Sequence, residues 1–118
     1  MRAEVGGVPV PLYQAKAEFF RVLGHPVRIR VLELLCEGPR PVRELLAEFD
    51  IEASNLSQQL AVLRRYGIVT ATRDGSTVVY ALAGADVSEL MLAARRILTE
   101  LLVDKRELLA ALQDTGAG

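Results

Sequence analysis

The chain has 118 residues, a formal net charge of −1 and 51% hydrophobic residues, with one Cys, one His and no Trp. This length fits one domain, the apolar fraction excludes a disordered chain, and a lone Cys excludes an internal disulfide or a cysteine-built zinc cluster. No uncharged stretch approaches a membrane span and the Met1 end has no secretory-type apolar run, so the expected location is cytoplasmic, with no membrane contact.

Residues 1–11 (MRAEVGGVPVP) are rich in Gly and Pro and read as a flexible N-terminal arm. From Leu12 to Leu23, Leu12, Ala15, Phe19, Val22 and Leu23 recur at helical spacing, and Gly24 stops this first helix. His25-Pro26 opens a second, with Pro26 at the first helical position, where its missing N–H costs nothing. Val27, Val31, Leu34 and Leu35 form its apolar stripe, and Gly38-Pro39-Arg40-Pro41 breaks it. Val42–Phe49 reads as a short third helix, and residues 50–53 as a turn. A fourth helix begins at Glu52 or Ser54, runs to Tyr66 on Leu56, Leu60 and Leu63, and is capped by Gly67.

The period then changes to two. Val69–Arg73 and Thr77–Leu82 alternate around Asp74-Gly75, a strong hairpin signal. A long last helix starts at Asp86 or Ser88 and reaches about Leu112, with Leu90, Ala94, Ile97, Leu101 and Leu108 on one face; residues 113–118 read as a disordered tail. The expected fold is therefore mainly α with a β-hairpin wing, in the order α-α-α-α-β-β-α, and residues 12–112 form one domain. A short helix, a tight turn and a second helix make a helix-turn-helix, and a hairpin directly after it makes a winged helix.

The fourth helix starts with Ser54, Asn55, Ser57, Gln58 and Gln59, short polar side chains suited to base edges and phosphates, and Arg64 and Arg65 follow at its other end. Arg73, Ser76 and Thr77 lie at the wing. Between Ser54 and Leu82 three arginines face one aspartate, a net +2, so the rest of the chain carries −3. A local basic surface on an acidic protein is the footprint expected for double-stranded DNA. The plain alternative is that the polar run is only a solvated helix start with Ser54 as its cap. One His, one Cys and no Gly-rich phosphate loop leave little from which to build an enzyme.

Three stretches resemble the arsenic-repressor (ArsR/SmtB) family of winged-helix repressors, over roughly Leu12 to Leu112. Leu23-Gly24-His25-Pro26-Val27-Arg28-Ile29-Arg30-Val31-Leu32 is similar to its L-x-x-P-x-R-x-x-I-L opening. Ser54–Arg64 resembles its S-x-x-S-x-H-L-x-x-L-R recognition helix, and Gly67-Ile68-Val69 with Arg73–Tyr80 resembles its wing. The resemblance implies a homodimer paired through the first and last helices, with Leu12, Ala15, Phe19, Leu90, Ala94, Ile97 and Leu101 at the interface, repressing from a palindromic operator.

Many family members respond to a divalent transition metal such as nickel or zinc. One common site uses Cys-x-Cys on the third helix; here those positions hold Pro41 and Arg43. The other starts at an Asp of the last helix; counted from Asp86, its remaining ligands would be Ser88, Thr99 and Leu102. Asp86 and the lone His25, the latter combined with Glu18, Glu33 or the N-terminal arm, within one protomer or across the dimer, are the candidate ligands left. Control through a co-regulator protein, a redox switch at Cys36, and a winged helix that binds only protein stay open as readings.

Overall fold

The computed structural model describes residues 1–116. Ten elements follow in chain order: strands β1 (Arg2–Val5) and β2 (Val8–Pro11), helices α1 (Leu12–Leu23) and α2 (Pro26–Leu35), strand β3 (Arg40–Pro41), helices α3 (Val42–Ala47) and α4 (Ala53–Arg65), strands β4 (Val69–Asp74) and β5 (Thr77–Leu82), and helix α5 (Ala85–Gly116). The helical order and the hairpin wing agree with the periodicities in the sequence.

Residues 1–11, expected as a flexible arm, form an antiparallel hairpin instead. Gly6 (φ +58°) and Gly7 (φ +81°) both occupy the left-handed region, the requirement of a two-residue type I′ turn. Val5 and Val8 close that turn, so hydrogen-bonded and open pairs alternate outward from them. Pro9 and Pro11 then fall opposite Glu4 and Arg2 at the open pairs, where a missing N–H breaks nothing. The Leu12 amide bonds the Met1 carbonyl at 3.0 Å and fastens the hairpin to the start of α1.

Gly24 is the C-cap of α1, and a Cβ there would sit 3.2 Å from the Phe20 carbonyl, a tight contact that glycine avoids. His25 caps α2: its Nδ1 accepts a hydrogen bond from the Val27 amide at 3.2 Å, and Pro26 takes the first helical position. The α4 terminus is a complete Schellman motif. The Gly67 amide (φ +72°) bonds Arg64 and the Ile68 amide bonds Leu63, both at 3.0 Å, and Ile68 is buried.

The wing is a three-stranded sheet in the order β3-β5-β4. The short β3, hidden in a segment that reads only as a break, pairs Arg40 with Tyr80 and Pro41 with Val79. The hairpin is placed as its sequence signals, but the turn is one residue later than Asp-Gly suggests. Asp74 pairs with Thr77, and the loop is Gly75-Ser76. Only Gly75 (φ +65°) is left-handed, the pattern of a type II′ turn with Gly first.

The core is purely apolar. Val22 and Leu23 of α1, Val31, Leu32, Leu34 and Leu35 of α2, Leu45 of α3, Leu56, Leu60 and Leu63 of α4, and Ile68 and Val69 form one buried cluster. Val87, Leu90 and Met91 of α5 pack onto it. Beyond them α5 leaves the body, and every residue from Arg95 to Gln113 is exposed. Its 32 residues span about 48 Å and set the 66 Å length of the molecule. The segment expected as a disordered tail is helical to Gly116, and residues 117–118 lie outside the described residues. Among the described residues no helix is long and apolar enough to cross a membrane.

Leu45 is fully buried where the short α3 meets the cluster. Leu45→Ala is expected to cost about 2–5 kcal/mol, read as a lower urea midpoint with an unchanged slope.

Candidate nucleic-acid interface

Helix α4 is divided lengthwise by its own spacing. Leu56, Leu60 and Leu63 face the core, which turns Ser54, Ser57, Gln58, Arg64 and Arg65 outward, all exposed. Glu52, not Ser54, is the N-cap residue, and it makes no side-chain cap bond. Ser54 lies inside the first turn, so the plain capping role does not account for it. Among the described residues, Ser54, Ser57, Gln58 and Arg64 make no side-chain hydrogen bond, which leaves their polar atoms free for a ligand.

Asn55 and Gln59 are placed differently. Both are half-buried and belong to a bonded chain that the sequence reading did not find. Arg28 Nε donates to Gln59 Oε1 at 2.8 Å, Gln59 Nε2 donates to Asn55 Oδ1 at 3.0 Å, and Arg28 Nη1 donates to the Val22 carbonyl at 3.0 Å. Gln59 is thus engaged at both ends of its amide. Arg28 lay in view in the Pro26-Val27-Arg28 motif, but only the tertiary fold brings it beside α4.

The arginines separate into two groups. Arg21 pairs with Glu18, Arg30 with Glu33 and Glu48, and Arg40 with Glu37. Arg64, Arg65 and Arg73 make no ion pair among the described residues, and all three are exposed. Their charge is available to phosphates. At the wing, Ser76 is exposed at the turn and Thr77 is half-buried where it closes the hairpin.

The far end of α4 is tied to α1. Tyr66 donates its hydroxyl proton to Glu18 Oε1 at 2.8 Å, and Arg21 Nε donates to Glu18 Oε2 at 2.9 Å. Beside them Glu4, Val5, Ala15, Phe19 and Arg65 line a cleft of about 440 Å³ between the N-terminal hairpin, α1 and α4. The Arg21 and Tyr66 bonds hold the Glu18 carboxyl at about 2, well below the carboxylate range.

The residues expected at a dimer interface fall into two sets. Phe19 and Leu90 pack on their own core, Ala15 lines the cleft, and Leu12 and Ala94 are half-buried. Their apolar surface is largely used within the protomer. Ile97 and Leu101 are 58% and 51% exposed, and on α1 the exposed large apolar residues are Tyr13 and Phe20, at 70% and 55%. The shift follows from α1 placing Val22 and Leu23 inward, which directs the opposite side, not the one carrying Phe19, to solvent.

Of the candidate metal ligands, His25 spends Nδ1 on the α2 cap, and Asp86 lies exposed in the first turn of α5. Cys36 is half-buried at the end of α2. No group of three or more His, Cys, Asp or Glu side chains could hold a metal ion among the described residues. Pro41 and Arg43 sit on β3 and α3 with no donor for a metal, so the residues present do not fit the family's usual metal centres.

The depressed Glu18 value has a definite consequence for acid titration. Because the folded value lies below the unfolded one, the Glu18 tie contributes fully above about 4.5, weakens below that, and is lost as pH falls through about 2. Carboxyl carbon resonances followed by NMR should show Glu18 titrating near 2, and Tyr66→Phe should move that midpoint upward by removing one donor.

Comparison with known proteins agrees with this geometry. The family model described as "Bacterial regulatory protein, arsR family" matches residues 25–71, which carry α2, the helix-turn-helix and the start of β4. The uncharacterized HTH-type transcriptional regulator Rv0081 of Mycobacterium tuberculosis is 52% identical, over 92% of this chain and 93% of its own. The crystal structure of Rv0081 superposes with a TM-score of 0.76, covering 81% of this chain and 97% of that one. A biofilm growth-associated repressor of Agrobacterium fabrum is 35% identical over 75% of this chain and 79% of its own. The homodimeric winged helix-turn-helix DNA-binding domain Mb0332 of Mycobacterium bovis matches with a TM-score of 0.69 and 28% identity, over 77% of this chain and 84% of that one. The motifs, the fold and the relatives converge: the chain belongs to the arsR family of bacterial winged helix-turn-helix transcriptional regulators.

Proposed function

We propose that this regulator is a cytoplasmic homodimeric repressor that seats the N-terminal half of α4 in the major groove of a palindromic operator. The observation that carries the reading is the outer face of α4. Ser54, Ser57, Gln58 and Arg64 stand exposed and unbonded on a helix whose opposite face is locked into the core. Recognition helices of this architecture read bases with their N-terminal residues. Arg64, Arg65 and Arg73 supply phosphate contacts, and Ser76 and Thr77 place the wing along the backbone.

Two-fold pairing is supported by the exposed apolar side chains Tyr13, Phe20, Ile97, Leu98 and Leu101, and by the homodimeric description of Mb0332. It would set two copies of α4 about 34 Å apart, one turn of DNA. The repressor assignment follows the relative from Agrobacterium fabrum, whose name states repression.

Fluorescence anisotropy on the gene's own promoter tests the reading. Gln58→Ala should weaken operator binding by about 1–3 kcal/mol, and Arg73→Ala should lower the salt slope by about 1 while weakening all DNA alike. Operator affinity unchanged in a Ser57→Ala, Gln58→Ala, Arg64→Ala triple variant would overturn it. For the dimer, Ile97→Lys with Leu101→Lys should shift sedimentation from two copies to one.

A further inference from the structure

We propose that Arg28, which does not lie on the exposed DNA-facing side of α4, is a positioning residue that sets the hydrogen-bond polarity of that helix, so that Asn55 turns its Oδ1 to Gln59 and leads with its NH2 toward DNA. The inference rests on α4 being the reading helix.

A guanidinium has donors and no acceptor. Arg28 Nε lies 2.8 Å from the Gln59 side chain, so Gln59 must turn its carbonyl oxygen toward Arg28. The Gln59 NH2 is thereby directed along α4 to Asn55, 3.0 Å away and one helical turn back. Asn55 must answer with Oδ1. Reversing either amide would set donor against donor at Arg28, or like against like between the two amides. The polarity of the whole series is fixed by the one member that cannot reverse it.

Arg28 is itself held. Its Nη1 donates to the Val22 carbonyl in the last turn of α1, so the same guanidinium joins α1, α2 and α4. Both residues of the amide pair are half-buried, which shields these bonds from competing water.

The consequence bears on what each side chain reads. Gln59 is engaged at both ends and does not read a base. Asn55 keeps its NH2 for DNA while Oδ1 is committed to Gln59. With Oδ1 turned to Gln59 and its NH2 leading, Asn55 addresses an acceptor: a purine N7, a guanine or thymine oxygen in the groove, or a phosphate oxygen.

The test compares operator and scrambled duplexes at one stated salt concentration, with Arg28→Lys, Gln59→Glu and Asn55→Ala. Arg28→Lys keeps the charge but loses the forked geometry. It should lower operator affinity about tenfold, leave scrambled DNA within about twofold, and leave the salt slope unchanged. Equal loss on both duplexes would make Arg28 a phosphate contact and overturn the proposal. Gln59→Glu keeps the acceptor toward Arg28 and removes the donor toward Asn55, so it should lose discrimination without losing thermal stability. Unaltered discrimination would overturn the proposal.

Asn55→Ala against a set of single-base operator changes separates the two acceptor sources. Loss confined to one base-pair position supports a base acceptor, and equal loss on every sequence supports a phosphate. At an adenine position, the wild type losing affinity when only the 6-amino group of that base is removed, a loss that Asn55→Ala abolishes, would overturn the proposal, because that group can be met only by an Asn55 acceptor. A readout without DNA is the side-chain amide spectrum. The Gln59 NH2 proton bonded to Asn55 Oδ1 should exchange slowly in the wild type and fast in Arg28→Lys, while the Asn55 NH2 protons exchange fast in both. This distinguishes failure of the polarity argument from failure of the DNA reading, since the amide series stands or falls without any duplex present.

Discussion

The burial of Leu56, Leu60 and Leu63 on one side of α4 is the constraint from which the rest of the molecule follows. These leucines meet Leu32 and Leu45 in a cluster with no buried polar side chain, so it has no directional bonds of its own. Its stability comes from apolar area removed from water, at about 25 cal/mol per Å². Orientation has to come from elsewhere. It is supplied at the edges, by the Schellman turn at Gly67, the Arg28 bonds beside the first half of α4, and the Glu18–Tyr66 bond at its end. The apolar interior holds α4 in place, and polar contacts at its margin set its rotation.

This division explains what the sequence made legible. Helices α1, α2, α4 and α5 could be placed from apolar spacing, because burial is what shaped that spacing. The wing was visible in the change to period two. Details governed by backbone geometry were harder. The turn at Gly75-Ser76 differs by one residue from the reading of Asp74-Gly75, since both frames put a Gly in the left-handed region. The Gly6-Gly7 hairpin was hidden because Pro9 and Pro11 usually speak against a strand, and they are tolerated here only by falling on open pairs. Strand β3 has two residues and makes sense only beside β5.

At the interface, Ser54, Ser57 and Gln58 could be found from composition, since an exposed polar cluster on a helix start stands out in one dimension. The use of Asn55 and Gln59 could not. Their partner Arg28 lies 31 residues from Gln59 in the chain, and a long-range bond of this kind leaves no local periodic trace. The two classes of arginine are equally invisible in a charge count: those matched by a carboxylate, such as Arg21 and Arg40, and those left open, such as Arg64 and Arg73. The net charge of −1 averages over both.

The length of α5 beyond its docking point has a thermodynamic side. Only its first turns, through Met91, rest on the protomer's own core; the turns from Arg95 to Gln113 have water on every face. A helical stretch of that size is marginal by itself, because each residue it orders costs entropy that few contacts repay. In a paired molecule its order is therefore coupled to mass action, and the distal turns form to the extent that a second chain is available. Dilution would melt this rod from its free end while the winged-helix body stayed folded, so cooperativity in the molecule would change with protein concentration.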